Sequence, residues 1–297
     1  MLGSVAEFVY TVLLKPPLLR RAANAVIKAV LPQTVRAGGA VICINPVDPV
    51  ISGALTLRVY ERDEMDFFRA NFLPDMTLID VGANVGLYSG MALATPGFQG
   101  RILAIEPHAE SRRFLQGTLR SNGSVEQQRR VVVSDLAASD RAGTLTLYEN
   151  SQNRGDNRIY PDPLLDRTEP IASDTLDRIC EQSGIGSVQF LKIDVQGAEA
   201  KVIHGAARVL AQSTDCILMT EFWPYGIARS GSDALGYLAS LRALGFALYE
   251  LRRGGKELLP IGDPGKLIAR TQARKYANLI GLKGAVAAAA RDPVARD

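Results

Sequence analysis

The chain has 297 residues, of which 47% are apolar and 22% charged, and this composition indicates a soluble globular protein. Its length suits one large α/β domain with an appendage. Three widely spaced cysteines (Cys43, Cys180 and Cys216) and only two histidines exclude a disulfide framework and give no ligand spacing for zinc, so no metal site is predicted. A formal net charge of +3, without basic and aromatic residues interleaved along one face, argues against a nucleic-acid partner.

The N-terminal stretch is basic and apolar. Between Phe8 and Val47 it carries basic residues and no acidic one. Its apolar opening, Leu2 to Leu14, is too short to span a bilayer, and the basic residues follow it instead of preceding it as in a secretory signal. We therefore expect a cytoplasmic protein whose amphipathic N-terminal helices pack on the following domain. A peripheral contact of this segment with the inner face of the membrane is the alternative.

Residues 1–72 are predicted to form an extension with two or three short helices, because prolines interrupt it. It also contains a strand at Val41 to Asn45 and a helix from Glu61 to Asn71. From residue 73 to 284 strands and helices alternate, which predicts a domain with a parallel sheet and helices on both faces.

In that domain we expect strands at 77–81, 102–106, 130–134, 188–194, 216–221, 246–251 and 276–282, and helices near 86–94, 108–122, 174–183, 198–212 and 232–244. The last strand is expected to form a hairpin with strand 246–251. Residues 285–297 are predicted to be an alanine-rich, frayed tail.

A glycine-rich turn follows the first strand of the domain. The strand runs into Asp80-Val-Gly82-Ala83-Asn84-Val-Gly86, and Glu106 ends the next apolar run. This arrangement is typical of a nucleoside pocket, because an acid at the tip of the neighbouring strand accepts both ribose hydroxyls. Asn84 stands where a dinucleotide-binding turn has its second glycine, so the turn is poorly suited to a pyrophosphate. It suits a nucleoside with an amino-acid end, whose ammonium group Asp80 could bind, and this ligand is S-adenosylmethionine.

Polar residues end the other core strands as well. The carboxyl ends of parallel strands share one edge of the sheet, where ligands bind. The residues at that edge are Glu106-Pro107, Ser134-Asp135, Asp194-Val-Gln196-Gly197 and Glu221-Phe-Trp223-Pro224. So many acids on one edge require neutralisation by ligand groups, cations or hydrogen-bond donors.

Several ordered stretches carry a family resemblance: Asn45-Pro-Val-Asp48-Pro-Val, Tyr60-Glu61, Asp80 to Ser89, Glu106-Pro-His108, Val133-Ser-Asp135, Gly155-Asp-Asn-Arg158, Lys192-Ile-Asp-Val-Gln-Gly-Ala-Glu199 and Glu221-Phe-Trp-Pro224. Through them the chain resembles the FkbM family of S-adenosylmethionine-dependent methyltransferases over roughly residues 41–283. The resemblance implies a Rossmann-like, seven-stranded class I methyltransferase sheet and O-methylation of a sugar, glycan or polyketide-type hydroxyl. Gln196 is a departure, because many members carry Glu there.

The resemblance also implies roles for single residues. The methionine part of the donor is expected among Asp80, Gly82, Ala83, Asn84, Gly86, Tyr88 and Ser89, the ribose at Glu106 and Pro107, and the adenine beside Ser134 and Asp135. Methyl transfer to a hydroxyl requires alignment and removal of a proton, and Asp194 and Glu221 are the candidate bases, Asp194 first. A helix cap or a packing residue of the turn is the alternative for Asp194.

The acceptor is expected to be a small molecule or glycan. The polar loop from Asn150 to Tyr160 is predicted to bind it, with a solvated connection as the alternative. The candidate contacts are Asp156, Asn157, Arg158, Gln196, Glu199 and Trp223. His108 is predicted to contact the nucleoside or to cap its helix, and His204 to lie on the surface.

Two rival functions remain open at this point. A nicotinamide-dependent oxidoreductase shares the strand, turn and acidic ribose contact, but Asn84 and the lack of a Tyr-x-x-x-Lys pair near the fourth strand count against it. A non-catalytic S-adenosylmethionine-binding protein is disfavoured by the clustered carboxylates.

Overall fold

The computed structural model describes residues 31–151, 153–252, 255–272 and 275–287. The helices predicted before residue 31, with their proposed membrane contact, and most of the alanine-rich tail lie outside these ranges. Among the helices that the structure describes, none is both long and apolar enough to cross a bilayer.

The central sheet has eight strands in the described part of the chain, in the order β12-β11-β13-β10-β9-β3-β4-β5. Their bounds are β3 Leu78–Val81, β4 Ile102–Ile105, β5 Val131–Ser134, β9 Phe190–Ile193, β10 Cys216–Phe222, β11 Ala247–Arg252, β12 Glu257–Pro260 and β13 Ala277–Lys283. Strands β10, β9, β3, β4 and β5 are parallel, whereas β13 runs antiparallel between β10 and β11. All seven predicted strands and the terminal pairing are confirmed. The count of seven was wrong by one, because β12 returns antiparallel along β11.

The described helices are α1 Pro49–Thr56, α2 Arg62–Asn71, α3 Leu87–Leu93, α4 Ala109–Arg120, α5 Val125–Gln128, α6 Leu176–Gln182, α7 Glu199–His204, α8 Ala207–Gln212, α9 Pro224–Arg229, α10 Ala234–Ala243 and α11 Pro264–Arg270. The predicted helix 198–212 is split at Gly205. A Cβ on this glycine would lie 2.0 Å from the Ser139 carbonyl oxygen, and the Gly205 carbonyl accepts from Asp177 N–H. The close approach of another backbone therefore interrupts the helix.

The residues before β3 pack on one face of the central sheet. Strands β1, Thr34–Ala37, and β2, Ala40–Cys43, form an antiparallel hairpin in the region where one strand was predicted. The side chain of Asn122, which follows the end of α4, hydrogen-bonds both the N–H and the C=O of Val41. Phe68 of α2 contacts the rings of Tyr88 and Phe190 edge-on. Burial of each large side chain here contributes about 1.5–3 kcal/mol, so the extension stabilises the sheet that it covers.

A second sheet lies between β5 and α6 in the sequence. It consists of β6 Ala137–Ser139, β7 Gly143–Glu149 and β8 Arg167–Thr175, in the order β6-β8-β7. The connection between β7 and β8 carries a short 3₁₀ helix, Arg154–Asp156, and returns toward the carboxyl edge of the central sheet.

Candidate active site

A cavity of about 900 Å³ lies at the carboxyl edge of the central sheet. Its floor is formed by the ends of β3, β4, β9 and β10, and its walls come from α1, the start of α2, the small sheet and the β7–β8 connection. Ligands bind in this position in open α/β sheets, because the strand ends and the following helix N-termini converge there. The cavity is therefore the site that the sequence predicts.

The glycine-rich turn is shaped by left-handed backbone conformations. Gly82, Asn84 and Gly86 have φ angles of 79°, 48° and 85°. A Cβ on Gly82 would lie 2.0 Å from the carbonyl oxygen of Asp194, so only glycine lets β3 and β9 end side by side. Gly82, Ala83 and Asn84 line the cavity, while Gly86 starts α3 behind it.

Asp80 is the last polar residue of β3 and faces the cavity at 1% exposure. Its carboxylate accepts from Ser89 N–H at 3.1 Å and from the Ser89 hydroxyl at 2.7 Å. Burial raises the pKa of Asp80, and the nearby Lys192 ammonium opposes this rise. Ser89 is fully buried and does not line the cavity. Its role is to hold Asp80 in place.

Glu106 is held by the backbone of two neighbouring segments. Its carboxylate accepts from Asn84 N–H at 2.7 Å and from His108 N–H at 2.9 Å. Burial raises the pKa of Glu106 to about 7, although these bonds favour the ionised form. Each oxygen uses one of its lone pairs in this way, so both can still accept from a ligand hydroxyl. Pro107 lies beside Glu106 in the cavity wall.

The wall next to Glu106 is apolar. Its side chains come from the small sheet and are Ala137, Ala138, Leu145, Leu147 and Ile171. Ser134 and Asp135, which we expected beside the adenine, are not among the lining residues. The Ser134 hydroxyl accepts from Leu136 N–H, and the chain turns there so that β6 reaches the wall instead. The apolar surface suits an aromatic base better than the two expected polar side chains do.

A buried lysine connects the carboxylates at the other end of the cavity. Lys192 lies opposite Asp80 in the register of β9 and β3. Its Nζ lies 3.1 Å from Asp194 Oδ2 and 4.8 Å from the centre of the Tyr88 ring. The Tyr88 hydroxyl donates to Glu61 at 2.7 Å. Asp194, Glu61 and Asp80 raise the pKa of Lys192 against the effect of burial, so this residue stays protonated and is no candidate base. Burial raises the pKa of Glu61, which Lys192 counteracts.

Glu221 and Gln196 complete this end of the cavity. Gln196 Nε2 donates to Asp194 Oδ1 at 2.8 Å and lies 3.5 Å from Glu221 Oε2. Burial and the negative charges of Asp194, Glu199 and Glu61 raise the pKa of Glu221 well above its usual value. Asp194 does not cap a helix: α7 begins after Ala198 without a side-chain cap. The geometry therefore places Asp194 in an ion-pair network and leaves Glu221 with few donors.

The β7–β8 connection is fixed to the N-terminal extension. Asp48 caps α1 by accepting from Val50 and Ile51 N–H, and its second oxygen accepts from Arg154 N–H at 3.1 Å. Asp48 is 1% exposed, and burial raises its pKa to about 6. A Cβ on Gly155 would meet the Ile51 side chain at 2.2 Å, so this loop packs tightly on α1.

The predicted acceptor contacts are only partly in the cavity wall. Asp156, Asn157, Arg158 and Gln196 line the cavity, whereas Glu199 and Trp223 do not. The Glu199 carboxylate is fully buried and accepts from Val195 and Gly197 N–H, which fixes the turn after β9. Trp223 packs beneath the Arg158 guanidinium, whose central carbon lies 4.9 Å from the centre of the Trp223 ring. Arg158 also pairs with Asp156 and Asp162, so it organises the loop.

His108 caps α4 and lines the cavity. Its Nδ1 lies 2.9 Å from the Ser111 hydroxyl, and burial lowers the pKa of the ring. The fold also brings Glu149 and Glu169 close to His108 Nε2. This grouping has metal-ligating side chains, but the Arg154 guanidinium already lies 2.7 Å from the Glu149 carboxylate and supplies the cation there. His204 is exposed on α7, as predicted.

Sequence reasoning missed several residues of the cavity. Lys192, Asp48 and Glu61 were noted only as parts of matching stretches, and Glu64 and Tyr276 were assigned no role. A lysine inside an otherwise apolar strand, Phe190-Leu-Lys192-Ile, is the signal that would have identified the first of them.

The sequence profile described as "Methyltransferase FkbM domain" matches residues 80–248, more than half of the chain. The chain belongs to the FkbM methyltransferase family. This FkbM methyltransferase uses S-adenosylmethionine as its methyl donor.

Two curated relatives match parts of this FkbM chain. It is 28% identical over 251 residues to AMB antimetabolite synthetase AmbE of Pseudomonas aeruginosa, an alignment that covers 73% of this chain and 11% of AmbE. It is 32% identical over 94 residues to ribosomal RNA large subunit methyltransferase E of Nitrosomonas eutropha, with 29% and 46% of the two chains covered. The chain thus spans about a tenth of the length of AmbE and less than half of the length of the ribosomal RNA methyltransferase. Among solved structures, the FkbM methyltransferase of Methylobacillus flagellatus is 17% identical, with a TM-score of 0.46 and 89% and 59% of the two chains covered.

The described residues fit S-adenosylmethionine. The Asn84 side-chain oxygen is buried in the cavity wall and has no hydrogen-bond partner among the described residues, so it offers an acceptor to a ligand. The absence of a Cβ at Gly82 keeps the turn narrow, and Glu106 keeps free lone pairs. These features suit a nucleoside with a cationic amino-acid end.

Proposed function

We propose that this methyltransferase moves the methyl group of S-adenosylmethionine to a hydroxyl oxygen of a sugar, glycan or polyketide-type acceptor. The observation that carries the proposal is the position of the Glu221 carboxyl group. Glu221 lies near the end of β10 and lines the cavity beside Asp194 and Gln196. A hydroxyl acceptor loses its proton as it reacts, whereas a neutral amine can keep its proton on the ammonium product. A carboxylate whose pKa is raised is a stronger proton acceptor than a free one, which suits this task.

The donor would be held by Asp80, Asn84 and Glu106, with the apolar wall at Ala137 and Leu147 beside the base. When bound, S-adenosylmethionine supplies an electrophilic methyl carbon, which bonds to the acceptor oxygen as its bond to sulfur breaks and the electron pair stays on sulfur. The cavity walls align the acceptor and exclude water.

Glu221 is assigned as the proton acceptor in place of Asp194, our first candidate from the sequence. Both oxygens of Asp194 are engaged, one by Lys192 at 3.1 Å and one by Gln196 at 2.8 Å. These contacts hold the Asp194 carboxylate against Lys192 and Gln196, whereas among the described residues the Glu221 carboxylate has only the 3.5 Å contact with Gln196. Asp194 instead keeps the Lys192 ammonium and the Gln196 amide in position.

Acceptor recognition is assigned to the β7–β8 connection and the start of α2. Asp156 and Asn157 face the cavity from one side, and Glu64 and Tyr276 from the other. Such hydrogen-bonding groups around an opening suit a polyhydroxylated molecule.

The test uses the full-length protein, methyl-labelled donor and a panel of sugars, oligosaccharides and polyketide lactones, with mass spectrometry to locate the label. Glu221→Gln should lose on the order of 10²-fold in kcat with nearly unchanged affinity for S-adenosylhomocysteine. Glu126→Gln makes the same chemical change on an exposed helix and serves as the matched control. Label on nitrogen or carbon, or full activity of Glu221→Gln, would contradict the proposal.

A further inference from the structure

Gln196 adopts a backbone conformation that side-chain-bearing residues avoid. Its φ angle is +52°, and the following Gly197 has φ of +103°. The turn is held from several sides: the Glu199 carboxylate accepts from Val195 and Gly197 N–H, and the Ser230 hydroxyl donates to the Gly197 carbonyl. Backbone strain of this kind persists only where the surroundings impose it, and it concentrates at functional sites.

This conformation places the Gln196 amide between two carboxylates. The same nitrogen lies 2.8 Å from Asp194 Oδ1 and 3.5 Å from Glu221 Oε2, and an amide nitrogen carries two hydrogens to donate. Lys192 holds the other oxygen of Asp194. Two neighbouring carboxyl groups without such a donor share one proton, so neither is a defined base.

We propose that Gln196 is a positioning residue for proton removal, whose amide holds Asp194 by a hydrogen bond and leaves Glu221 as the single carboxylate that receives the acceptor proton. The inference rests on the proposed transfer to a hydroxyl. It adds a residue that acts through Glu221 and Asp194, and it gives the strained turn a function.

Charged and titratable groups from every neighbouring element face Glu221. They are Lys192 of β9, Asp194 directly after β9, Glu199 of α7, Glu61 before α2 and Tyr276 before β13. Lys192 is the only cation among these five, and it is already paired with Asp194. A further carboxylate at position 196 would therefore act on Glu221 without compensation and raise the pKa of this group.

The experiment follows the titration of Glu221 directly and needs no acceptor. Full-length protein is labelled with ¹³C at the glutamate side-chain carboxyl carbons, saturated with S-adenosylhomocysteine and titrated by NMR, and the Glu221 signal is assigned by its loss in Glu221→Gln. In Gln196→Glu the Glu221 midpoint should rise by about one pH unit or more, and in Gln196→Met by less. Gln212→Glu, which adds the same charge on the exposed end of α8, should leave it unchanged.

A further variant separates the strain from the amide. Gln196→Gly relieves the left-handed conformation and should raise the urea midpoint of unfolding, yet it should shift the Glu221 titration as Gln196→Met does. A Glu221 midpoint that stays unchanged in Gln196→Glu and Gln196→Met, in folded protein that binds S-adenosylhomocysteine, overturns the inference. Because no methyl transfer is measured, a label found on nitrogen in the acceptor panel would refute the proposed function without affecting this result.

Discussion

Replacement of Gly82 by alanine tests whether the close approach of β3 and β9 builds the donor turn. The new Cβ would lie 2.0 Å from the Asp194 carbonyl oxygen, whereas such a contact needs about 3.3 Å. The backbone must therefore move by more than 1 Å, which breaks the bond from Asp194 N–H to the Val81 carbonyl. A lost buried hydrogen bond costs about 1–3 kcal/mol, and a left-handed alanine about 1–2 kcal/mol. We expect Gly82→Ala to lower the free energy of unfolding by roughly 2–5 kcal/mol.

Gly97→Ala is the matched control. Gly97 also has a positive φ angle, 72°, but a Cβ there has no heavy atom within 4 Å. In this variant the free energy of unfolding should fall only by the cost of a left-handed alanine, about 1–2 kcal/mol, and the donor affinity should not change. Urea unfolding and calorimetry with S-adenosylhomocysteine measure the two effects, and Gly82→Ala should weaken binding at least about tenfold. Equal stabilities and affinities for the two variants would refute the argument that close strand packing shapes the turn.

Three more predictions follow from the charged groups. Asp48→Ala should expose the Arg154–Gly155 bond to trypsin, because Asp48 anchors this loop; Asp263→Ala, which removes an exposed helix cap, should not. Affinity for S-adenosylhomocysteine should increase as the pH rises from 6 to 8. Glu106 has a pKa of about 7, so it ionises over this range, and it binds hydroxyl groups better as a carboxylate. In calorimetry, Glu106→Gln should make the affinity depend less on pH. Lys192→Met should lower the free energy of unfolding by roughly 3–5 kcal/mol at pH 8 and by less at pH 5, because the raised pKa values of Glu61 and Asp80 favour uptake of protons as the pH falls and so reduce the need for a cation. Equal urea-unfolding losses at both pH values would be evidence against the buried network.

Lys192→Met is expected to be more destabilising at high pH because of the direction in which the pKa values of its neighbours are shifted. The pKa values of Glu61 and Asp80 are raised in the folded protein, so the folded state binds their protons more tightly than the unfolded state does. Their contribution to stability is complete below the unfolded pKa values and is lost as the pH rises through the folded ones. Removal of Lys192 raises the folded pKa values further and steepens this loss.

The sequence determined the parallel sheet, the order of its elements and the position of the donor turn. Apolar runs of strand length that alternate with helical segments specify a sheet covered on both faces, and the carboxyl ends of its parallel strands must share one edge. Asp80, Glu106, Asp194 and Glu221 could therefore be assigned to one site, since this conclusion requires only that each residue lies at or just after the carboxyl end of its strand. The glycine at position 82 marked the turn because its conformation is a local property.

Only the tertiary structure decided which side chains reach the cavity and what each can do there. Ser134, Glu199 and Trp223 lie near strand ends but face other contacts, because side-chain direction depends on the turn that follows and on what packs against it. The roles of Asp194 and Glu221 depend on Lys192 and Gln196, whose distances to them are fixed by the pairing of β9 with its neighbours and by a strained turn. Proton affinity is set by burial and by charges a few ångströms away, and these neighbours come from parts of the chain that only folding brings together.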